Sequence, residues 1–420
     1  MNNEDRLQYP RPGHAVSPIF KPLHLPVELI LKIFEHAIQL DGKRDSDEIY
    51  RHDDGYVDYD SDSEDIASQL SMRKPPTLLV LTSICHKFRE IGINTPRLWG
   101  TANLTTHSLT KLFLERCNYD PLILIAPRRT RADAWAKFEG RTFNNLRSLS
   151  FEGSPFEFKD RVVPLFPRAT SLSTLSIRAE STLGLEPPWN SSVPIHHLSI
   201  LHLHGFSLRW VLPLLRNLNQ LSLHLGFISY RPIDQPPIET FLAGLANCPD
   251  LESLKFFNSG MSSLSPPRDN YHTVVQLRGL RRLFLAIDDA STVGHILSHI
   301  SYPESALIQV SVTTSDIIQT ISRIFSYGNA DIIQHFRMTE VLSICWDYDI
   351  YSFSTDKSTI RCKHYLRRRQ EQLSRSISKT LEVVGKDIIS FSITLTCTTD
   401  LTNETWKQIL HGFPLLERIS

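Results

Sequence analysis

The chain has 420 residues, 41% of them hydrophobic and 21% charged, the balance of a globular protein with length for two or three domains and a core that needs no disulfide or metal. Lys plus Arg and Asp plus Glu each number 45, so the net charge is zero and gives no ground for binding nucleic acid or a membrane surface. No stretch approaches the ~20 apolar residues of a membrane helix, and the polar, proline-rich opening MNNEDRLQYPRPGHAVSP is no secretory signal.

Residues 1–22 have the composition of a disordered terminus. A helix is expected from about Pro26 to Gln39. Pro26 suits a first helical position, and Val27, Ile30, Phe34, Ala37 and Ile38 recur at helical spacing, with Leu29 and Ile33 widening the stripe. Residues 41–74 then run acidic and poor in apolar side chains, and read as a disordered insertion. Between Asp41 and Asp65 eleven acids stand against three bases, which leaves 42 bases against 34 acids elsewhere. A long loop costs little extra closure entropy, so the helices on either side can still pack together. Ser61 and Ser63, each preceding an acid, are candidate phosphorylation sites. After Pro75-Pro76 a second helix is expected, with Leu78, Leu81, Ile84, Cys85, Phe88 and Ile91 on one face, ended by Thr95-Pro96. Leu98 and Trp99 follow as large apolar anchors.

"LPVELILKIFEHA" followed by "LLVLTSICHKFREIGINTPRLWGTANL" resembles the F-box in the form common in fungal F-box proteins. The matching positions are Leu25, Pro26, Glu28, Leu29, Ile33, Phe34, Cys85, Arg89, Pro96, Leu98 and Trp99. Phe88 stands where tryptophan is usual, Ile84 where valine is, and the acidic insertion splits the motif. The resemblance covers residues 23–104 and implies a small three-helix module. It implies docking on the Skp-type adaptor, and through it on a cullin, by Leu25, Pro26, Leu29, Ile33, Phe34, Phe88, Leu98 and Trp99.

Residues 107–126 read as a connecting unit, a helix through Leu109, Leu112, Phe113 and Cys117 and then a strand at Leu122–Ile125. From Asn144 a Leu-x-x-Leu-x-Leu pattern returns at Leu146, Leu172, Leu198, Leu218, Leu251, Leu280 and Leu307, with gaps of 26, 26, 20, 33, 29 and 27 residues. Weaker copies lie at Leu342/Ile344 and Ile388/Phe391/Ile393, and the terminal FPLLERIS has the start of another. The pattern resembles irregular leucine-rich repeats without the usual asparagine. Residues 105–420 are therefore expected to form a repeat domain of short strands and crossovers, and the fold class is α/β: an F-box followed by an irregular leucine-rich-repeat solenoid. A long helix is expected over residues 361–385, which carry the basic RCKHYLRRR.

In such repeats the residues between strand leucines face outward. One expected ladder is Ser150, Ser176, His202, Ser222, Lys255, Phe284 and Ser311, and its neighbour is Glu152, Arg178, His204, His224 and Phe257. Arg178, His202, His204, His224, Lys255, Phe257 and Phe284 are the candidate contacts for a target protein on the concave face. The three histidines lack an evident cysteine or carboxylate partner, so no metal is expected. The six cysteines form no CxxC pair and read as reduced thiols of a cytoplasmic and/or nuclear protein. No phosphate loop, GxSxG or HExxH motif is present, so neither enzyme activity nor a cofactor is expected. The expected function is a substrate-recruiting adaptor of a cullin-based (SCF-type) ubiquitin ligase. The alternative is a repeat scaffold without a ligase role.

Overall fold

The computed structural model describes residues 25–38, 77–104, 107–118, 123–128, 130, 135, 138, 143–179, 197–225, 236–258, 273–313, 316–326, 341–347, 350–355, 358–363, 375–377, 380, 390–395, 403–412 and 418–419. The expected disordered segments 1–22 and 41–74 lie outside the described residues. The chain divides into two compact units, Met1–Trp99 and Gly100–Ser420.

In the first unit, α1 spans 27–38, α2 Thr77–Ile84 and α3 His86–Ile93, followed by a 3-10 turn at Pro96–Trp99. The second expected helix is thus two. Cys85 takes an extended backbone (φ −155°, ψ 166°) and ends α2. The break is satisfied locally, because the Arg89 side chain donates through Nε to the Thr82 carbonyl at 3.3 Å and the Arg89 amide donates to the Cys85 carbonyl at 3.0 Å. The core holds Ile30, Phe34, Leu78, Phe88 and Ile91, with the Phe34 and Phe88 rings edge-on at 5.3 Å. Gly92 keeps the packing close, since a Cβ there would run into the Thr82 side chain. The buried Trp99 indole donates to the Gly92 carbonyl at 2.7 Å. Two expected core residues point elsewhere: Val27 flanks the buried stripe of α1 and is exposed, and the break at Cys85 leaves Ile84 exposed at the end of α2.

The second unit opens with β1 (Thr101–Asn103), α4 (His107–Arg116), β2 (Ile123–Ala126) and β3 (Ser148–Gly153). It continues through β4 (Thr174–Ala179), β5 (Ile200–His204), β6 (Gln220–His224), α5 (Ile238–Leu245) and β7 (Ser253–Asn258). Next come β8 (Val275–Gln276), β9 (Arg282–Ile287), α6 (Ala290–Ser298), β10 (Ile300–Ser301), β11 (Leu307–Thr313) and α7 (Ile317–Ser326). The chain ends with β12 (Val341–Asp347), β13 (Ile350–Thr355), β14 (Ser358–Lys363), β15 (Ser390–Leu395), α8 (Asn403–Gly412) and β16 (Arg418–Ile419). β1 to β7, β9 and β11 pair in parallel in chain order within a 14-stranded sheet, and β8 and β10 form a separate parallel pair.

The register explains the leucine pattern. Leu149, Leu175, Leu201, Leu221, Leu254, Leu283 and Ile308 stand opposite one another across β3 to β11 and are all buried. Each such side chain contributes about 1.5–3 kcal/mol by leaving water. Crossovers cover this inward face: Phe241 of α5 lies 5.2 Å from Phe256 of β7, and Phe158, in the turn after β3, lies 5.6 Å from Phe151. That turn starts with a reciprocal cap, in which Ser154 Oγ accepts from the Glu157 amide and the Glu157 carboxylate accepts from the Ser154 amide, each at 3.2 Å. Asp289 caps α6 by accepting from the Ser291 and Thr292 amides.

A backbone ladder links successive strands at their starts. One carbonyl accepts two consecutive amides of the next strand's entry: Arg147 from Ser173 and Thr174, Ser173 from Ser199 and Ile200, Ser199 from Asn219 and Gln220. Asn219 accepts from Glu252 and Ser253, and Glu252 from Arg281 and Arg282. The turns are thus regular despite the missing consensus asparagine, because main-chain groups set them.

Three expectations change. Leu307 is 52% exposed, since Ile308 and not Val310 takes up the register of the leucine column; Val310 and Val312 stay buried because this slip is by two residues, an even number. After β11 the simple repeat order stops: β14, β13 and β12 form an antiparallel meander between β11 and β15. The expected helix over 361–385 starts instead as strand, with Arg361–Lys363 in β14, where Ile360 is buried opposite Val310. Residues 375–377 and 380 are helical.

Gly205 ends β5 at φ +82°, and a Cβ there would run into the Ala179 carbonyl. Gly205→Ala should cost at least about 1–2 kcal/mol in urea unfolding. Leu201→Ala, which empties a fully buried position, should cost roughly 2–5 kcal/mol. An unchanged midpoint for either variant would contradict the β5 packing described.

Candidate functional site

Two surfaces gather the sequence-predicted residues, and each is described within its own unit. On the helical unit, Leu29 and Ile33 are 46% and 43% exposed and sit one turn apart on α1. Val80 and Ile84, 45% and 55% exposed, sit one turn apart on α2. Large apolar side chains left this bare on a small unit mark a surface that a second body can cover. Pro26 is exposed and Leu25 half-buried, its carbonyl accepting from Lys87 Nζ at 2.8 Å. Four of the predicted contact residues are placed differently: Phe34, Phe88, Leu98 and Trp99 are buried. Their bulk forms the interior that holds the helices, and they support the surface without lining it. Val80 is not among the contacts the sequence points to, and Ile84 is expected in the core because the apolar spacing runs on through Cys85.

On the strand unit, the outward face carries both expected columns. Ser150, Ser176, His202, Ser222, Lys255 and Phe284 are in register, and Gln309, not Ser311, continues the row on β11. This follows from the same slip that exposes Leu307. The second column runs Glu152, Arg178, His204, His224 and Phe257, with Ala286 after it and Ser311 next. Rings meet along it: His204 lies 5.1 Å from His224, His224 stacks on Phe257 at 3.7 Å with the planes 19° apart, and Phe257 lies 4.7 Å from Phe284 of the first column. The parallel register places these rings on successive strands, at the ~4.8 Å spacing that suits stacking.

The histidines are neutral at physiological pH. Burial, and then the positive charge of Lys255, lowers His202 to about 4. Burial, and then Arg178, lowers His204 to about 4. Burial, His204, Lys255, Arg178 and His202 together lower His224 to about 3. His204 Nδ1 is buried with no hydrogen-bond partner, a position where an added proton would be poorly accommodated. The chemistry of this face is therefore flat, aromatic and neutral at its centre, with fixed positive charge from Arg178 and Lys255. Among the described residues no group of three or more His, Cys, Asp or Glu could hold a metal ion, and no helix is long and apolar enough to cross a membrane.

A separate buried pair sits among the crossovers, where His295 Nε2 of α6 lies 3.9 Å from Glu239 Oε1 of α5. Burial and His299 lower His295, partly opposed by Glu239. This pair faces the interior and has no place on the partner surface.

No family model matches the sequence, and no curated protein matches it. Among solved structures, the chain is similar to the leucine-rich repeat-containing protein LegL7 from Legionella pneumophila, at 15% identity and a TM-score of 0.34, over 76% of this chain and 89% of that one.

The lowered histidines fix a pH dependence. Unfolded, they titrate near 6.5; folded, they bind protons only near pH 3–4. The unfolded state therefore binds more protons below about pH 6.5, so stability is full above that value and is lost as pH falls toward 4. The loss should be on the order of a few kcal/mol, read as a falling urea midpoint between pH 7.5 and pH 5. His224→Phe, which keeps a ring against Phe257, should recover part of it.

Proposed function

We propose that the chain is a substrate-recruiting adaptor of a cullin-based, SCF-type ubiquitin ligase. In this reading the helical unit docks on the Skp-type adaptor and the outward strand face holds a target protein. The observation that carries the docking half is the pair of bare apolar ridges, Leu29/Ile33 and Val80/Ile84, on a unit whose motif resembles the F-box. Buried Phe34 and Phe88 brace the helices that present them. The strand face supports the second half, since aromatic rings and a guanidinium group on a rigid sheet are the side chains that dominate protein interfaces.

The mechanism is proximity. Holding a target beside a transferase raises its effective concentration there, and the reading gives this chain no bond chemistry, no cofactor and a place in the cytoplasm and/or nucleus. A second reading, an interaction scaffold with no ligase connection, draws on the strand face alone.

The test is binding of the purified chain to a purified Skp-type adaptor, followed by size-exclusion chromatography and calorimetry. Wild type should form a stable complex. Leu29→Asp/Ile33→Asp should weaken it more than about tenfold, because two apolar contacts are lost and two charges are buried. Its circular dichroism should match wild type, since both positions are exposed. If wild-type chain fails to bind, the ligase reading falls and the scaffold reading stands.

A further inference from the structure

The outward positions of β3 to β7, β9 and β11 carry three bases, Arg178, Lys255 and Arg282, and one acid, Glu152. The imbalance is local, because the chain as a whole has a net charge of zero. Arg178 stands on β4 and Lys255 on β7, with the imidazoles of β5 and β6 between them. From there the ring row His204, His224, Phe257 and Phe284 continues across neighbouring strands, its members half-buried and so each still showing some surface.

From this juxtaposition we infer that the strand face binds an acidic segment of a partner protein that carries an aromatic residue, with carboxylates set on Arg178 and Lys255 and the aromatic ring laid against the His224–Phe257–Phe284 shelf. The inference rests on the reading of this face as the partner surface, and it names the chemistry of the partner. A basic segment is disfavoured by like charge. A purely acidic segment would gain the cations but leave the shelf wet, and a purely apolar one would cover the shelf but bring no carboxylate to the positive charge. The histidines act as neutral platforms, since burial and the flanking cations keep the proton off them. The charged and titratable groups that bear on them are Lys255 for His202, Arg178 for His204, and His204, Lys255, Arg178 and His202 for His224. Attraction for the acid thus comes from two permanent charges, and the affinity does not depend on histidine protonation above about pH 6.5.

The experiment uses the full chain and fluorescence anisotropy with labelled peptides: oligoglutamate with a central tryptophan, oligoglutamate with a central alanine, and oligolysine with a central tryptophan. The glutamate–tryptophan peptide should bind best and the lysine peptide should not bind. Arg178→Ala/Lys255→Ala should weaken the first about fivefold to tenfold, while Arg209→Ala/Arg216→Ala, which removes equal charge from exposed positions outside these strands, should change it less than about twofold. Affinity should hold within about twofold between pH 8 and pH 6.5.

Equal binding of the lysine peptide, equal binding of the alanine peptide, or equal loss in both double variants would each overturn the inference. Adaptor binding is read separately on the helical unit. A chain that takes up the Skp-type adaptor but ignores the glutamate–tryptophan peptide removes the acidic-partner inference alone; a chain that binds the peptide through Arg178 and Lys255 but ignores the adaptor removes the ligase reading alone.

Discussion

β4, β5, β6, β7 and β9 each begin where a carbonyl of the preceding repeat takes two consecutive amide hydrogens, and the strand unit depends on that main-chain relay. It sets the register, and the register decides everything on both faces. Because side chains alternate along a strand, a slip by one residue would turn the leucine column out and the histidines in. The side chains at the relay vary, from Arg147 through Ser173 and Ser199 to Asn219 and Glu252, because only their peptide groups are used. The constraint is thus invisible as a residue type, yet it holds seven inward positions in line from Leu149 to Ile308.

Much of this was legible beforehand for a simple reason. A buried parallel strand needs apolar residues at alternate positions, and a stack of them repeats the need at a near-constant interval, so Leu146 to Leu285 announce β3 to β9. The outward columns followed by alternation, and Arg178, His204, His224 and Phe257 are indeed neighbours. Legibility failed where two frames satisfied the same pattern. Leu307/Val310/Val312 fits the motif as well as Ile308/Val310 does, and only hydrogen bonding to β9 chooses between them. It failed again at Cys85, where apolar spacing continues through a break made by backbone conformation and stabilised by Arg89. The meander does carry a signal in the sequence: three stretches of alternating polarity, 341–347, 350–355 and 358–363, stand only two residues apart, which is the pattern of hairpins.

The imidazole cluster shows how position overrides residue type. Three histidines on one face would ordinarily suggest a metal or a switch near neutral pH. Here burial acts first, with the His224 ring set against His204 and Phe257, and Arg178 and Lys255 add positive charge, so proton binding is driven far below that range. The side chains then behave as small aromatic plates. What the centre of the face retains as positive charge belongs to Arg178 and Lys255.

The meander has a further consequence for how the chain assembles. β12 follows β11 in sequence but lies two strands away from it, with β14 and β13 between. Up to β11, each new strand can dock on an edge that already exists, and order can spread along the array step by step. Beyond β11 that growth stalls, since the edge must wait for β14, which is made last of the three. From Val341 onward the strands join the sheet as a block: β14 alone pairs with β11, β13 and β12 reach the array only through it, and β15 and β16 extend it from β12.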